Sequence, residues 1–83
     1  MDFEIFMKLR FGPEYIQKPK NPENVKKQKD QKTIAVKELM DLFSLRQPSV
    51  WAWMQKGIPA DRAIEIVRHY EFDPAVLLMS SGK

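Results

Sequence analysis

Along residues 3–11, FEIFMKLRF, apolar side chains take every odd position (Phe3, Ile5, Met7, Leu9, Phe11), and the even positions 2–10 are charged except for Phe6. A period of two lines the odd residues on one face of a strand, whereas a helical turn of about 100° per residue scatters them. The pattern therefore predicts an N-terminal β-strand ended by Gly12-Pro13. From Thr33 the period changes. In TIAVKELMDLF, Val36, Leu39, Met40 and Phe43 recur at spacings of three and four, so a helix is expected with Thr33 as its N-cap. Only SLR separates it from a second helical pattern in which Val50, Trp53 and Met54 share a face, so the two apolar faces must meet at a steep angle with Leu45 in the turn. Pro59 opens a further helix, PADRAIEIVRHY, with Ala63, Ile64, Val67 and Tyr70 as its stripe, and Asp73-Pro74 starts a short apolar helix, AVLLM. Residues 80–83, SSGK, read as a frayed tail.

Between these regions, residues 17–32 hold six lysines, two prolines and a single aliphatic side chain, Val25. Such a segment cannot bury an apolar face, and two readings stand: a solvated linker, or a basic arm lying along nucleic-acid phosphates. The chain thus divides into a strand at 1–16, a lysine-rich linker or arm at 17–32, a helical domain at 33–79 and a tail at 80–83.

Charge adds a direction to this division. The net charge is +3, and residues 1–32 hold eight Lys/Arg against five Asp/Glu while residues 33–83 hold six of each, so the surplus is upstream. At 83 residues a single small core is expected, and a second copy adding buried surface is a fair expectation from size. With no cysteine there is neither a disulfide framework nor a thiolate metal site, and His69 is the only histidine. No glycine-rich phosphate loop is present, and Ser44, Ser49, Ser80 and Ser81 have no base and orienting acid arranged around them. The reading is a non-enzyme with no cofactor and no metal. The first ten residues lack a basic start and a long apolar run, and no stretch approaches the roughly 20 residues of a membrane span, so a soluble cytoplasmic protein is expected.

Over Val36 to Gln55, the apolar positions Leu39, Phe43, Leu45, Val50 and Trp53 resemble the helix-turn-helix of the Cro-type and CI-type phage repressors. The following WMQKGIPADRAIEI is similar to the run after the recognition helix in small prophage Cro-like regulators. Two positions depart from the family pattern: Met40 stands where alanine is usual, implying a wider helix crossing, and Ser44 stands where glycine is usual in the turn. The resemblance implies a mainly α, lambda-repressor-like helical domain, with residues 47–56 as a recognition helix in the major groove.

On that reading the DNA-binding residues are Arg46, Gln47, Pro48, Ser49, Trp51, Ala52, Gln55 and Lys56. Gln47, at the helix entrance, is where the resembling repressors commonly carry a DNA-contacting glutamine, and glutamine can bond adenine bidentately. Arg46 and Lys56 suit phosphate or guanine, Ser49 suits phosphate, and Ala52 offers a methyl to thymine. Pro48 suits a first helical turn. Each has a plainer alternative: Gln47 as a helix cap, Arg46 paired with Asp41, Lys56 as a solvated helix-end lysine. The two tryptophans, two residues apart, lie about 200° apart on a helix. Trp53 belongs to the core, and Trp51 either packs over the first helix or a dimer mate or meets the DNA backbone.

Binding two half-sites of a pseudo-palindromic operator calls for a homodimer. The strand at residues 3–11 could pair with its symmetry mate, or the AVLLM helix could pack across a two-fold axis. The expected function is a Cro-like transcriptional repressor of phage or prophage type, with double-stranded DNA as partner and no membrane. The alternative is an antitoxin or anti-repressor that keeps the helix-turn-helix as scaffold for a protein partner.

Overall fold

The computed structural model describes residues 1–79, which form five α-helices and no strand; the tail expected at residues 80–83 lies outside the described residues. The helices are α1 (Phe3–Phe11), α2 (Pro22–Phe43), α3 (Gln47–Lys56), α4 (Ala60–Tyr70) and α5 (Val76–Met79), with a 3₁₀ turn at Gly12–Glu14.

The strand expected at residues 3–11 is a helix. The Asp2 carboxylate accepts from the Glu4 N–H at 3.3 Å, and Gly12 closes the other end at φ +61°, its N–H donating to the Lys8 carbonyl. Glu4 in the first turn and Lys8 and Arg10 in the last complement the helix dipole. Phe6 decides the matter. Phe3, Phe6 and Met7, at i, i+3 and i+4, are buried, while Ile5, Leu9 and Phe11 pack at the flanks of the same core. With α1 folded into its own chain's core, pairing of a residue 3–11 strand with a second copy falls away.

The segment 17–32 is likewise more ordered than expected. Asn21, not Thr33, is the N-cap, its side chain accepting from the Asn24 N–H at 2.8 Å with Pro22 just inside the helix. From there α2 runs unbroken for 22 residues, and Thr33 sits mid-helix with its hydroxyl donating to the Lys29 carbonyl. The first three turns hold by polar anchors instead of an apolar face. Gln28 donates to the Ile16 carbonyl at 2.9 Å, Gln31 donates to the Glu14 carbonyl at 2.8 Å, and the Ile16 N–H donates to Gln31 at 3.2 Å. Lysine and glutamine are good helix formers, so little else is needed.

Phe6, Met7, Leu39, Val50 and Ile66 are the largest fully enclosed side chains, one or two from each of the first four helices. On α4 the inward stripe is Ala63, Ile66 and Val67 with Tyr70 half-buried; Ile64, expected inward, is 42% exposed. The α5 helix begins behind an Asp73 cap, whose carboxylate accepts from the Ala75 N–H; it buries Val76 and leaves Leu78 76% exposed. Met1 and Ile58 exchange two hydrogen bonds, the ammonium donating to the Ile58 carbonyl at 2.9 Å and the Ile58 N–H to the Met1 carbonyl at 2.6 Å. This ties the start of α1 to the connection between α3 and α4. No helix among the described residues is long and apolar enough to cross a membrane.

Candidate nucleic-acid interface

The join between α2 and α3 positions everything that follows. Ser44 ends α2 at φ 53°, ψ 44°, and the Leu45 N–H donates back to the Met40 carbonyl at 3.0 Å, the six-to-one closure of a Schellman turn. The left-handed residue usual at this point is therefore retained without glycine, at a steric cost to a residue that has a Cβ. Arg46 is extended, and the chain enters α3 at Gln47 with Pro48 in its first turn.

Val50 and Trp53 anchor α3 inward, with the Trp53 ring edge-on to Phe43 at 5.7 Å and Leu39 enclosed beside them. That leaves the other side of α3 bare. Arg46, Gln47, Pro48, Ser49, Trp51, Ala52, Gln55 and Lys56 are all exposed. Helical geometry places Pro48, Ala52 and Gln55 directly opposite the buried stripe, with Gln47 and Trp51 on the flank toward α2 and Ser49 and Lys56 on the other flank. Trp51 is 52% exposed whereas Trp53 is buried, the division their spacing predicts.

Several plainer roles are not taken up. Gln47 does not cap α3, whose N-terminus has no side-chain cap at all, and Arg46 makes no ion pair with Asp41 among the described residues. In the first turn of α3, Pro48 has no N–H and the Ser49 N–H donates to the Arg46 carbonyl at 3.1 Å, so of the first three residues only Gln47 keeps a backbone N–H for an anion. Arg62 lies with its guanidinium 4.9 Å from the centre of the Phe43 ring, which supports the turn. His69 is exposed with its ring edge-on to Tyr70 at 4.9 Å.

Two sets of residues were not placed by pattern reading. One is a clamp on the far side of α2, where Glu38 accepts two bonds from Arg10, at 2.8 and 2.6 Å, and one from the Tyr70 hydroxyl at 2.8 Å. Hydrogen bonding from Arg10, with that from Tyr70, holds the Glu38 carboxyl below its ordinary range against the opposing effect of burial. Burial and the same carboxylate push the Tyr70 hydroxyl up. Tyr15, buried and donating to Glu4 at 2.9 Å, is raised to about 12. The other set is the α2 lysines Lys29, Lys32 and Lys37, which the unbroken helix carries up to the Gln47 and Trp51 flank of α3. The sequence NPEN, an N-cap followed by proline, was the signal that α2 starts early enough to do this.

No protein-family model, curated protein or solved structure matches this chain.

Proposed function

We propose that α2, the turn at residues 44–46 and α3 form a helix-turn-helix, and that the protein is a sequence-specific DNA-binding transcriptional regulator. In type it is a Cro-like repressor of phage or prophage origin, acting in the cytoplasm as a homodimer on a pseudo-palindromic operator. One observation carries this reading: α3 is pinned to α2 by Val50 and Trp53, and all eight candidate residues on α3 and its N-cap are exposed among the described residues.

The exposed face of α3 enters the major groove, and Gln47 and Gln55 reach base edges while the Ala52 methyl suits thymine. Arg46, Ser49 and Lys56 take phosphates. The charge balance of residues 33–83 is neutral, so attraction to DNA relies on these placed groups and on the lysines of α2, not on a general positive field. Repression follows from occupying the promoter.

The test is a band-shift with the DNA upstream of the protein's own gene, wild type against Gln47→Ala. A glutamine contact of this kind discriminates by about 1–3 kcal/mol, so the variant should bind about tenfold or more weakly while melting normally. Absence of sequence-specific retention by the wild type at moderate salt would remove the proposal.

A further inference from the structure

Between the middle of α2 and the start of α3 lies an open groove of about 480 Å³. Its floor is apolar: Val36 and Met40 from α2, Trp51 and Met54 from α3. Its rim is basic, with Lys29, Lys32 and Lys37 on the α2 side and no carboxylate anywhere in the lining. None of these lysines is in an ion pair among the described residues. At the α3 edge neither the Gln47 carboxamide nor the Trp51 indole N–H bonds to any described protein atom.

These features agree on one kind of occupant. The volume falls in the range of about 300–1,000 Å³ typical of small-molecule sites. Two methionines and a tryptophan make an adaptable floor for a flat ring, since the thioether is polarisable and pairs well with aromatic edges. The lysines along α2, about 12 Å from Lys29 to Lys37 at 1.5 Å per residue, bracket that floor with positive charge. The Trp51 N–H and Gln47 amide add neutral donors for an anion's oxygens.

We propose that the groove binds a small organic anion with a flat apolar body, an aromatic carboxylate or sulfonate in chemical class, and that its occupancy excludes DNA. The ring lies on Met40, Met54 and Trp51, and the anionic group is held by Lys29 and Lys32. Because Gln47 and Trp51 belong both to the groove and to the face assigned to DNA, ligand and DNA compete, and the ligand is an inducer that releases the protein. The competition rests on the DNA-binding reading; the binding of the anion does not.

The probe is anilinonaphthalene sulfonate, titrated by fluorescence into the full chain. Saturable binding at one site is expected, with the Met40 and Met54 methyl resonances and the Trp51 indole N–H shifting while Met7, enclosed in the core, stays still. Lys29→Gln/Lys32→Gln should bind about tenfold more weakly, and the uncharged phenylnaphthylamine should bind weakly to wild type and variant alike. Lys29 is exposed, Lys32 is half-buried, and neither is in an ion pair among the described residues, so melting of the variant should match wild type, and a matched melt keeps the comparison valid.

Non-saturable binding, shifts centred on other residues, or equal affinity in the lysine variant would overturn the site. Addition of the probe to a preformed DNA complex should raise the apparent Kd for DNA in proportion to probe occupancy, and an unchanged Kd at saturating probe would overturn the competition. A chain that binds the probe at the groove and no DNA would sink the functional reading and leave the site standing.

Discussion

The two sides of α2 are built on opposite terms. On one side, α1 and α4 close over it: Phe6 packs against Tyr70 at 5.5 Å and Phe72 at 6.4 Å, and Glu38 is saturated by Arg10 and Tyr70. On the other, α3 and the lysines of α2 leave Trp51 half-exposed and Gln47 without a hydrogen-bond partner among the described residues. Matched polar groups and enclosed rings are what a domain of 83 residues needs in order to stay folded. Unmatched donors beside an exposed indole contribute little to folding and are available to something else. The first side should therefore answer to stability measurements and the second to binding measurements.

The largest effect is expected at the centre of the closed side. Phe6→Ala removes a fully enclosed ring and should cost about 3–5 kcal/mol in urea unfolding, close to the whole stability of a small domain. Phe6→Leu, at about 1–1.5 kcal/mol, should remain folded and, on the proposed function, leave DNA binding unchanged. Weaker binding by that folded variant would mean that the two sides are not independent.

Next comes Glu38→Gln. Loss of the carboxylate leaves Arg10 and Tyr70 poorly matched and should cost about 1–3 kcal/mol. The effect depends on pH with a definite sign. The folded-state carboxyl is held below its ordinary value near 4.3, so its stabilisation is present above that value and lost as pH falls through the folded pKa. Wild type and variant should therefore converge in acid; a gap that persisted unchanged at low pH would locate the cost elsewhere.

The smallest effect has the opposite sign. Ser44→Gly relieves the left-handed strain at φ 53° and should raise stability by roughly 0.5–1 kcal/mol after glycine's greater unfolded freedom is subtracted, with DNA affinity unchanged. A destabilised variant would show that the Ser44 side chain contributes more than the backbone strain costs.

The same division governs what can be read from the chain alone. The open side was legible because its determinants are local: three residues between two helices, Val50, Trp53 and Met54 at i, i+3 and i+4, and a 200° separation that sends Trp51 outward. The closed side was not, because its determinants are remote. Arg10 and Glu38 are 28 residues apart and Tyr70 and Glu38 are 32 apart, and no periodicity links them.

In α1 a nine-residue segment carried a strand's alternation and a helix's i, i+3, i+4 triplet at once. Only the surrounding core, which takes Phe6 in, favours the helix. The early start of α2 is hidden for another reason: residues 17–32 have almost no apolar content, and Gln28 and Gln31 supply order through hydrogen bonds to the loop at residues 14–17.

The face of α3 is tested most directly by selection from a pool of random DNA duplexes, carried out with wild type and with Gln47→Ala at equal folded concentration. If α3 reads DNA as a paired recognition helix, the wild type should enrich a two-fold symmetric motif with half-sites about one helical turn apart, and the variant should lose preference at one position in each half. Recovery of no motif by the folded wild type at moderate salt, or of the same motif by Gln47→Ala with undiminished preference, would contradict it.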